Sequence, residues 1–215
     1  MSICAVVLGG EPSYSEQVAE RLLRADYCIA ADSGAAYALS VGRTPDILVG
    51  DLDSLASELV DCCVEHGTTI HRFPSHKDET DGELALIAAQ EAGYDEIELY
   101  CSGGGRLDHW LANLFMAYEF FTGGMKITLV DDDYMGYYSD GFLEVTGQIG
   151  DTLSLIPLTP QVTGVTLEGL AYPLMEATLY MGVSRSVCNE LTTERCVIRH
   201  AKGVLLALHY AKERI

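Results

Sequence analysis

Residues 3–31, ICAVVLGGEPSYSEQVAERLLRADYCIAA, read as a strand, a helix and a second strand. The apolar run Ile3 to Leu8 predicts the first strand, Ser13 to Arg24 the helix, and Tyr27 to Ala31 the next strand. The same βαβ rhythm continues outward from this unit. Ile47 to Val49 predicts a strand, the region around Leu55 to His66 a helix, Thr69 to Phe73 a strand, Asp81 to Ala92 a helix, and Ile97 to Cys101 a strand. Thr80 and Glu83 have capping-box spacing, so the loop ahead of Asp81 points at a helix N-terminus, the end that favours anions. Leu107, Leu111, Leu114, Phe115 and Tyr118 recur at helical spacing, and core packing is the expected role of that stripe. Met125 to Val130 reads as the last parallel strand.

Beyond Val130 the pattern changes to short β-branched runs separated by Gly, Pro and Asp. Gly136 to Ser139, Phe142 to Val145, Thr152 to Pro157, Val162 to Leu167, Ala177 to Tyr180, Val197 to Ala201 and Val204 to Tyr210 predict an antiparallel β domain. The boundary is expected at the triple Asp131, Asp132 and Asp133, read as a solvated hinge, which gives domains of 1–131 and 132–215.

The chain has 215 residues, 48% of them hydrophobic and 21% charged, which suits a folded protein large enough to bury a core without disulfides or a structural metal. Its 32 acidic side chains against 13 basic ones give a formal charge of −19, which opposes binding to nucleic acid or to an anionic membrane. A phosphorylated ligand would have to arrive with a cation, and magnesium is the expected one. Seven cysteines at 4, 28, 62, 63, 101, 188 and 196 form no CxxC pair or zinc spacing, so reduced thiols in a cytoplasm are expected. The N-terminus MSICAVVLGG lacks the basic and long apolar regions of a signal peptide, and no apolar run reaches the length of a membrane span.

Four polar segments fall at the ends of predicted strands, where open parallel sheets usually hold their ligands. Asp32, Ser33 and Gly34 lie in ADSGA, a strand end turning into a helix, where glycine allows close backbone approach. GDLDS at 50–54 presents Asp51 and Asp53 one residue apart; in an extended stretch both point the same way and can share one hard cation. SHKDETD at 75–81 sets Lys77 among carboxylates, with Asp78 and Thr80 ahead of the helix and Asp81 in its first turn as a dipole partner or third metal ligand. SGGGRLDH at 102–109 offers backbone N–H groups and Arg106 to phosphate, followed by Asp108 and His109. Neither a Walker A spacing nor GxGxxG occurs in it, which disfavours a P-loop kinase or a Rossmann dehydrogenase. Singly, each segment has an ordinary structural reading as turn, cap or hinge. Together they hold what a magnesium nucleotide needs.

In order and spacing, ADSGA at 31–35, GDLDS at 50–54, KDETD at 77–81 and GGRLDH at 104–109 with Asn113 resemble the thiamine pyrophosphokinase family. The resemblance continues through YPLMEATL at 172–179 and Gly182 to Glu190, and so covers nearly the whole chain. It implies a Rossmann-like α/β/α domain with a parallel sheet that binds ATP and Mg2+, a C-terminal antiparallel β-sandwich that binds thiamine, and a homodimer with the thiamine site between domains of different subunits. The implied reaction passes pyrophosphate from ATP to the thiamine hydroxyl and releases AMP. By the same resemblance Asp51, Asp53 and Asp81 hold magnesium, Lys77 and Arg106 meet phosphate oxygens, and Asp108 lies near the metal or the attacking hydroxyl. Asp32, Ser33, Gly34, Asp78, Thr80, Gly104 and His109 border the nucleotide, and Ser186, Cys188 and Asn189 the thiamine. Where the family commonly has a Ser-Asn pair followed by an aromatic, this chain has Cys188, Asn189 and then Leu191. Asn189 keeps an amide for an aminopyrimidine edge, and Trp110, Tyr172 and Tyr180 are either stacking surfaces or core. The altered acceptor region keeps two alternatives open: a pyrophosphokinase for another heterocyclic alcohol such as 6-hydroxymethyl-dihydropterin, and a non-catalytic sensor of nucleotide or thiamine diphosphate.

Overall fold

The computed structural model describes residues 2–212. The chain passes from one compact unit to a second between Asp132 and Asp133. The first contains β1 (Ile3–Val7), α1 (Glu16–Arg24), β2 (Tyr27–Ala31), α2 (Gly34–Ser40), β3 (Ile47–Gly50), α3 (Ser57–Glu65), β4 (Thr69–Arg72), α4 (Asp81–Glu91), β5 (Glu96–Tyr100), α5 (Leu107–Thr122) and β6 (Lys126–Val130). Its six strands are parallel, in the order β6-β5-β1-β2-β3-β4. Val6, Ile29, Leu48 and Leu99 are fully buried, as continuous apolar strands are when a parallel sheet is covered on both faces. Successive strands run outward from β1 to β4, and β5 then returns to the other side of β1. That reversal opens a crevice beyond the carboxyl ends of β1 and β5.

The local signals place the helices. Ser15 caps α1 by accepting from the Val18 amide at 3.4 Å, and Thr80 caps α4 by accepting from the Glu83 amide at 3.1 Å. Helix α4 buries Leu84, Ala85, Leu86, Ala88 and Ala89 and packs on β1, β2 and β3. Helix α5 corrects the expectation drawn from its stripe: Leu107, Leu111 and Phe115 are exposed in this unit, while Ala117 is buried. Helical period identifies an apolar face; it does not say which surface covers it.

The aspartate triple is also more than a solvated hinge. The Asp132 carboxylate accepts hydrogen bonds from the backbone amides of Tyr14 at 2.5 Å and Ser15 at 2.9 Å, which ties down the loop leading into α1.

The second unit is all β: β7 (Tyr134–Ser139), β8 (Phe142–Thr146), β9 (Thr152–Pro157), β10 (Gln161–Glu168), β11 (Ala177–Tyr180), β12 (Asn189–Glu190), β13 (Arg195–Arg199) and β14 (Leu205–Tyr210). Strands β12-β9-β14-β7 form one antiparallel sheet and β11-β10-β13-β8 the other. Leu153, Leu155 and Ala207 of the first share a single core with Val145, Val162, Val165 and Ile198 of the second, so this unit is a β-sandwich.

Candidate active site

Three non-glycine residues just beyond β2, β3 and β5 adopt left-handed backbone: Asp32 at φ 47°, Leu52 at φ 64° and Cys101 at φ 52°. Such conformations cost about 1–3 kcal/mol each and persist where the surroundings enforce them, most often at functional sites. Leu52 also corrects the geometry expected for Asp51 and Asp53. The pair is not extended; the chain turns at Leu52, with the Asp53 amide donating to Asp51 Oδ1 at 3.1 Å. The turn still gathers the carboxylates. Oxygens of Asp32, Asp51 and Asp53 all lie within 4.8 Å of one another.

The electrostatics of this trio are those of charges held together against repulsion. A hydrogen bond from Ser75, then the Asp53 amide, and more weakly the charge of Lys77 hold Asp51 below the usual carboxylate range. Asp53 is pushed upward, chiefly by the negative charge of Asp51. Ser54 Oγ donates a short hydrogen bond to Asp32 Oδ2, whereas Asp32 Oδ1 is buried without any hydrogen-bond partner. A buried, unpartnered carboxylate oxygen beside two further carboxylates fits a hard divalent cation such as Mg2+, which takes oxygen ligands.

Asp81 stands nearby in a different pairing. Its Oδ1 accepts from Lys77 Nζ at 2.9 Å, and Lys77 also donates to the Pro74 carbonyl at 3.2 Å. The same Asp81 oxygen would lie 3.3 Å from a Cβ built on Gly50, as would Asp32 Cβ, so Gly50 lies between the two. Of the other residues in that segment, Asp78 is exposed and Thr80 is engaged as the α4 cap.

At the start of α5, Arg106 from the preceding loop and Asp108 in the first turn are exposed and paired, Nη2 to Oδ2 at 2.6 Å, which holds the Asp108 carboxyl down at about 2. The His109 amide donates to Asp108 Oδ1 at 3.1 Å, and the His109 ring is exposed. Asn113 fixes the loop from α5 by donating to the Ser102 carbonyl at 2.8 Å. Gly104 has φ 79° and packs so closely on Glu11 that a Cβ there would lie 2.4 Å from Glu11 Cβ.

Sequence reasoning missed the loop after β1. Gly10 and Glu11 donate their amides to the carbonyls of Cys101 and Gly103, both at 3.0 Å, and Glu11 Oε1 accepts from the Gly105 amide at 3.1 Å. The loop therefore joins the glycine run across the crevice between β1 and β5. Adjacent glycines at 9 and 10, directly after a strand, were the available signal.

In the second unit, Ser186 at φ 74° and Cys188 at φ 56° concentrate backbone strain in the segment expected to meet thiamine. Cys188 is exposed, and its amide donates to Ser154 Oγ at 3.0 Å. Asn189 is engaged within the chain. It is buried, its Oδ1 accepts from the Tyr172 and Glu190 amides at 2.9 Å, and its Nδ2 donates to the Tyr172 carbonyl at 2.9 Å. This amide clamps the 172 turn to β12, and its oxygen is fully used. Leu191 is buried in the sandwich core and so does not stand where a stacking aromatic would. Tyr172 and Tyr180 are exposed, which corrects the core reading for both; Trp110 is half-buried with its Nε1 unpartnered.

With this geometry in view, comparisons with known proteins agree in both units. Residues 18–129 match the model of the thiamin pyrophosphokinase catalytic domain, and residues 143–205 that of the vitamin B1 binding domain. The chain belongs to the thiamin pyrophosphokinase family. It is 29% identical over 182 residues to thiamine pyrophosphokinase of Bacillus subtilis, covering 84% of this chain and 85% of that one. A crystal structure of thiamine pyrophosphokinase from Bacillus subtilis superposes with a TM-score of 0.86 at 25% identity, covering 98% of this chain and 99% of the other. One from Enterococcus faecalis, of a thiamin pyrophosphokinase family protein, gives 0.82 at 27%, with the same coverage. In this chain the acidic loops thus lie within the catalytic match, and the 186–189 segment lies within the B1-binding match.

Proposed function

We propose that the chain is a thiamine diphosphokinase: it transfers the terminal pyrophosphate of ATP to the hydroxyl of thiamine, forming thiamine diphosphate and AMP. The thiamine hydroxyl oxygen bonds to the β-phosphorus and releases its proton to solvent, the bond from that phosphorus to the α–β bridging oxygen breaks, and AMP leaves with its electrons. The observation that carries this reading is the trio Asp32, Asp51 and Asp53 with its unpartnered buried oxygen, within a chain of this family. Bound there, Mg2+ would neutralise phosphate charge and orient the polyphosphate. Asp81, expected as a ligand, keeps Lys77 beside the trio, where its ammonium can meet phosphate oxygens. Arg106 reaches phosphate by exchanging its exposed partner Asp108, and Gly104 keeps the loop backbone open to an anion.

Ser186 and Cys188 line the thiamine end in this reading, with Asn189 holding their strained segment in place. A homodimer fits the exposed apolar side chains Tyr172, Met175, Tyr180, Met181 and Val183, which lie within twelve residues of each other and which a second copy would cover. A cytoplasmic setting fits the seven unpaired cysteines. Among the described residues no helix is long and apolar enough to cross a membrane.

The pterin and sensor alternatives are not favoured, because the family match extends over the B1-binding domain and the related proteins are thiamine pyrophosphokinases. The test is AMP release from ATP and Mg2+ with thiamine, thiamine monophosphate or hydroxymethylpterin as separate acceptors. Thiamine-dependent AMP in step with thiamine diphosphate is expected. AMP formed only with the pterin, or with no acceptor tried, would overturn the reading.

A further inference from the structure

The main chain of Asp32 is held on both sides: its amide donates to the Val49 carbonyl at 2.8 Å, and its carbonyl accepts from the Ala35 amide at 3.1 Å in the first turn of α2. Its left-handed backbone is thereby fixed, and what remains free is rotation of the carboxylate about the side-chain bonds. The loop 51–56 after β3 is anchored by Leu52 and Leu55, both buried in a core cluster with Ala30, Ala35 and Leu48. Ser54 lies between these anchors, exposed, and its Oγ donates to Asp32 Oδ2. One loop therefore delivers two carboxylates, Asp51 and Asp53, together with a hydroxyl that orients the third. Among the described residues that hydroxyl is the one hydrogen-bond partner of the Asp32 side chain, and it takes Oδ2, which leaves Oδ1 buried and unpartnered. Asp51 accepts in the same way from Ser75, in the loop ahead of α4.

We propose that Ser54 is a positioning residue for the cation: its hydroxyl holds one oxygen of Asp32 and so presents the other, beside Asp51 and Asp53, before any ion arrives. The proposal rests on the pyrophosphate-transfer reading, in which Mg2+ binds there, and deepens it by naming what keeps three like charges in a binding geometry. Carboxylates whose oxygens lie within 4.8 Å of one another repel, and an unrestrained one turns outward to solvent. Two kinds of restraint act here, each on a different aspartate. Lys77 holds Asp81 with a full positive charge, 2.9 Å from its Oδ1, and that charge offsets the one a cation needs. Ser54 holds Asp32 with a neutral donor, which fixes direction and leaves the carboxylate charge in place. A carboxylate already held loses less freedom when the ion binds, and partners of this kind change metal affinity by about 10–100-fold. The exposure of Ser54 separates this role from packing, because removing its hydroxyl leaves no cavity in the core.

Uptake of Mn2+ alone, read from the loss of the free-ion resonance signal, tests this in the unaltered protein, Ser54→Ala and Ser54→Thr. Affinity should fall about tenfold or more in Ser54→Ala and stay within about threefold in Ser54→Thr, which keeps the hydroxyl. The thermal midpoint of the metal-free protein should be no lower in either variant. Unchanged affinity in Ser54→Ala would overturn the proposal, as would an equal loss in Ser54→Thr, since the hydroxyl would then not be the cause. A lowered midpoint in metal-free Ser54→Ala would also overturn it, because the hydroxyl would be supporting the fold. Should the unaltered protein take up no Mn2+, the proposal fails whatever the reaction assay gives. Hydroxyl-dependent uptake in a protein that makes no thiamine diphosphate would keep this proposal and sink the assigned reaction. Thiamine diphosphate formation with unaltered Mn2+ affinity in Ser54→Ala would do the reverse.

Discussion

Asp151 is buried and Asp32 half-buried with one buried oxygen, and their surroundings are opposite. Asp151, in the sandwich, accepts from the Gln148 amide at 2.8 Å, the Lys212 amide at 2.9 Å and His209 Nε2 at 2.8 Å. Asp32, in the parallel-sheet unit, leaves one buried oxygen unpartnered and faces two further carboxylates. The first carboxylate completes its hydrogen bonds inside the protein and holds a turn to a strand. The second leaves an oxygen for the cation of the proposed function to complete. Buried polar groups are normally satisfied, which is why this oxygen carries that proposal.

This contrast breaks if the two aspartates respond alike to substitution. Asp51→Asn, beside Asp32, should lower the rate of thiamine diphosphate formation by about a thousandfold with the thermal midpoint unchanged or raised, because a repulsion is removed. Steady-state kinetics and calorimetry on the same preparation read both effects. Asp151→Ala should do the opposite, costing about 3 kcal/mol of stability in urea unfolding while the folded fraction keeps its turnover.

Acid sharpens the same comparison. Burial alone would raise the Asp151 pKa, but the Gln148 and Lys212 amides and the His209 ring outweigh it and the net direction is down. A carboxyl lowered by folding contributes fully above its unfolded value of about 3.9 and loses that contribution as pH falls through the folded value. Unfolding midpoints measured from pH 6 to pH 3 should therefore fall more steeply for the unaltered protein than for Asp151→Asn. Parallel curves would count against the role given to Asp151.

The smallest effect is expected at Cys188. Its side chain is exposed and the backbone bond to Ser154 is independent of the thiol, so Cys188→Ser should change the KM for thiamine by no more than about threefold. A large change would restore the thiol to a direct part in acceptor binding.

Much of the fold was legible because local chemistry and global order agree here. The run from Ile3 to Ala31 carries its own period, and Thr80 its own cap. The four loops were legible as well, since aspartates and glycines directly after apolar strands have few other reasons to be there. What was not legible depends on three-dimensional closure. Leucine gives no hint that position 52 is left-handed, because that conformation is imposed on it by the fold. The two-residue strand β12 forms by pairing with β9, not by propensity. Asn189 looks like a recognition residue in the sequence, and only its three bonds to the backbone of Tyr172 and Glu190 reveal a clamp. Leu107, Leu111 and Phe115 have a core residue's spacing and an exposed residue's environment.

Competition of Mg2+ with Mn2+, followed by the loss of the free manganese resonance signal, tests the central claim most directly. Measured with pyrophosphate present, the unaltered protein and Asp151→Asn should take up the ion equally, and Asp32→Asn should lose that uptake. Undiminished uptake by Asp32→Asn would contradict the account, because the buried oxygen of Asp32 would then not be waiting for a cation.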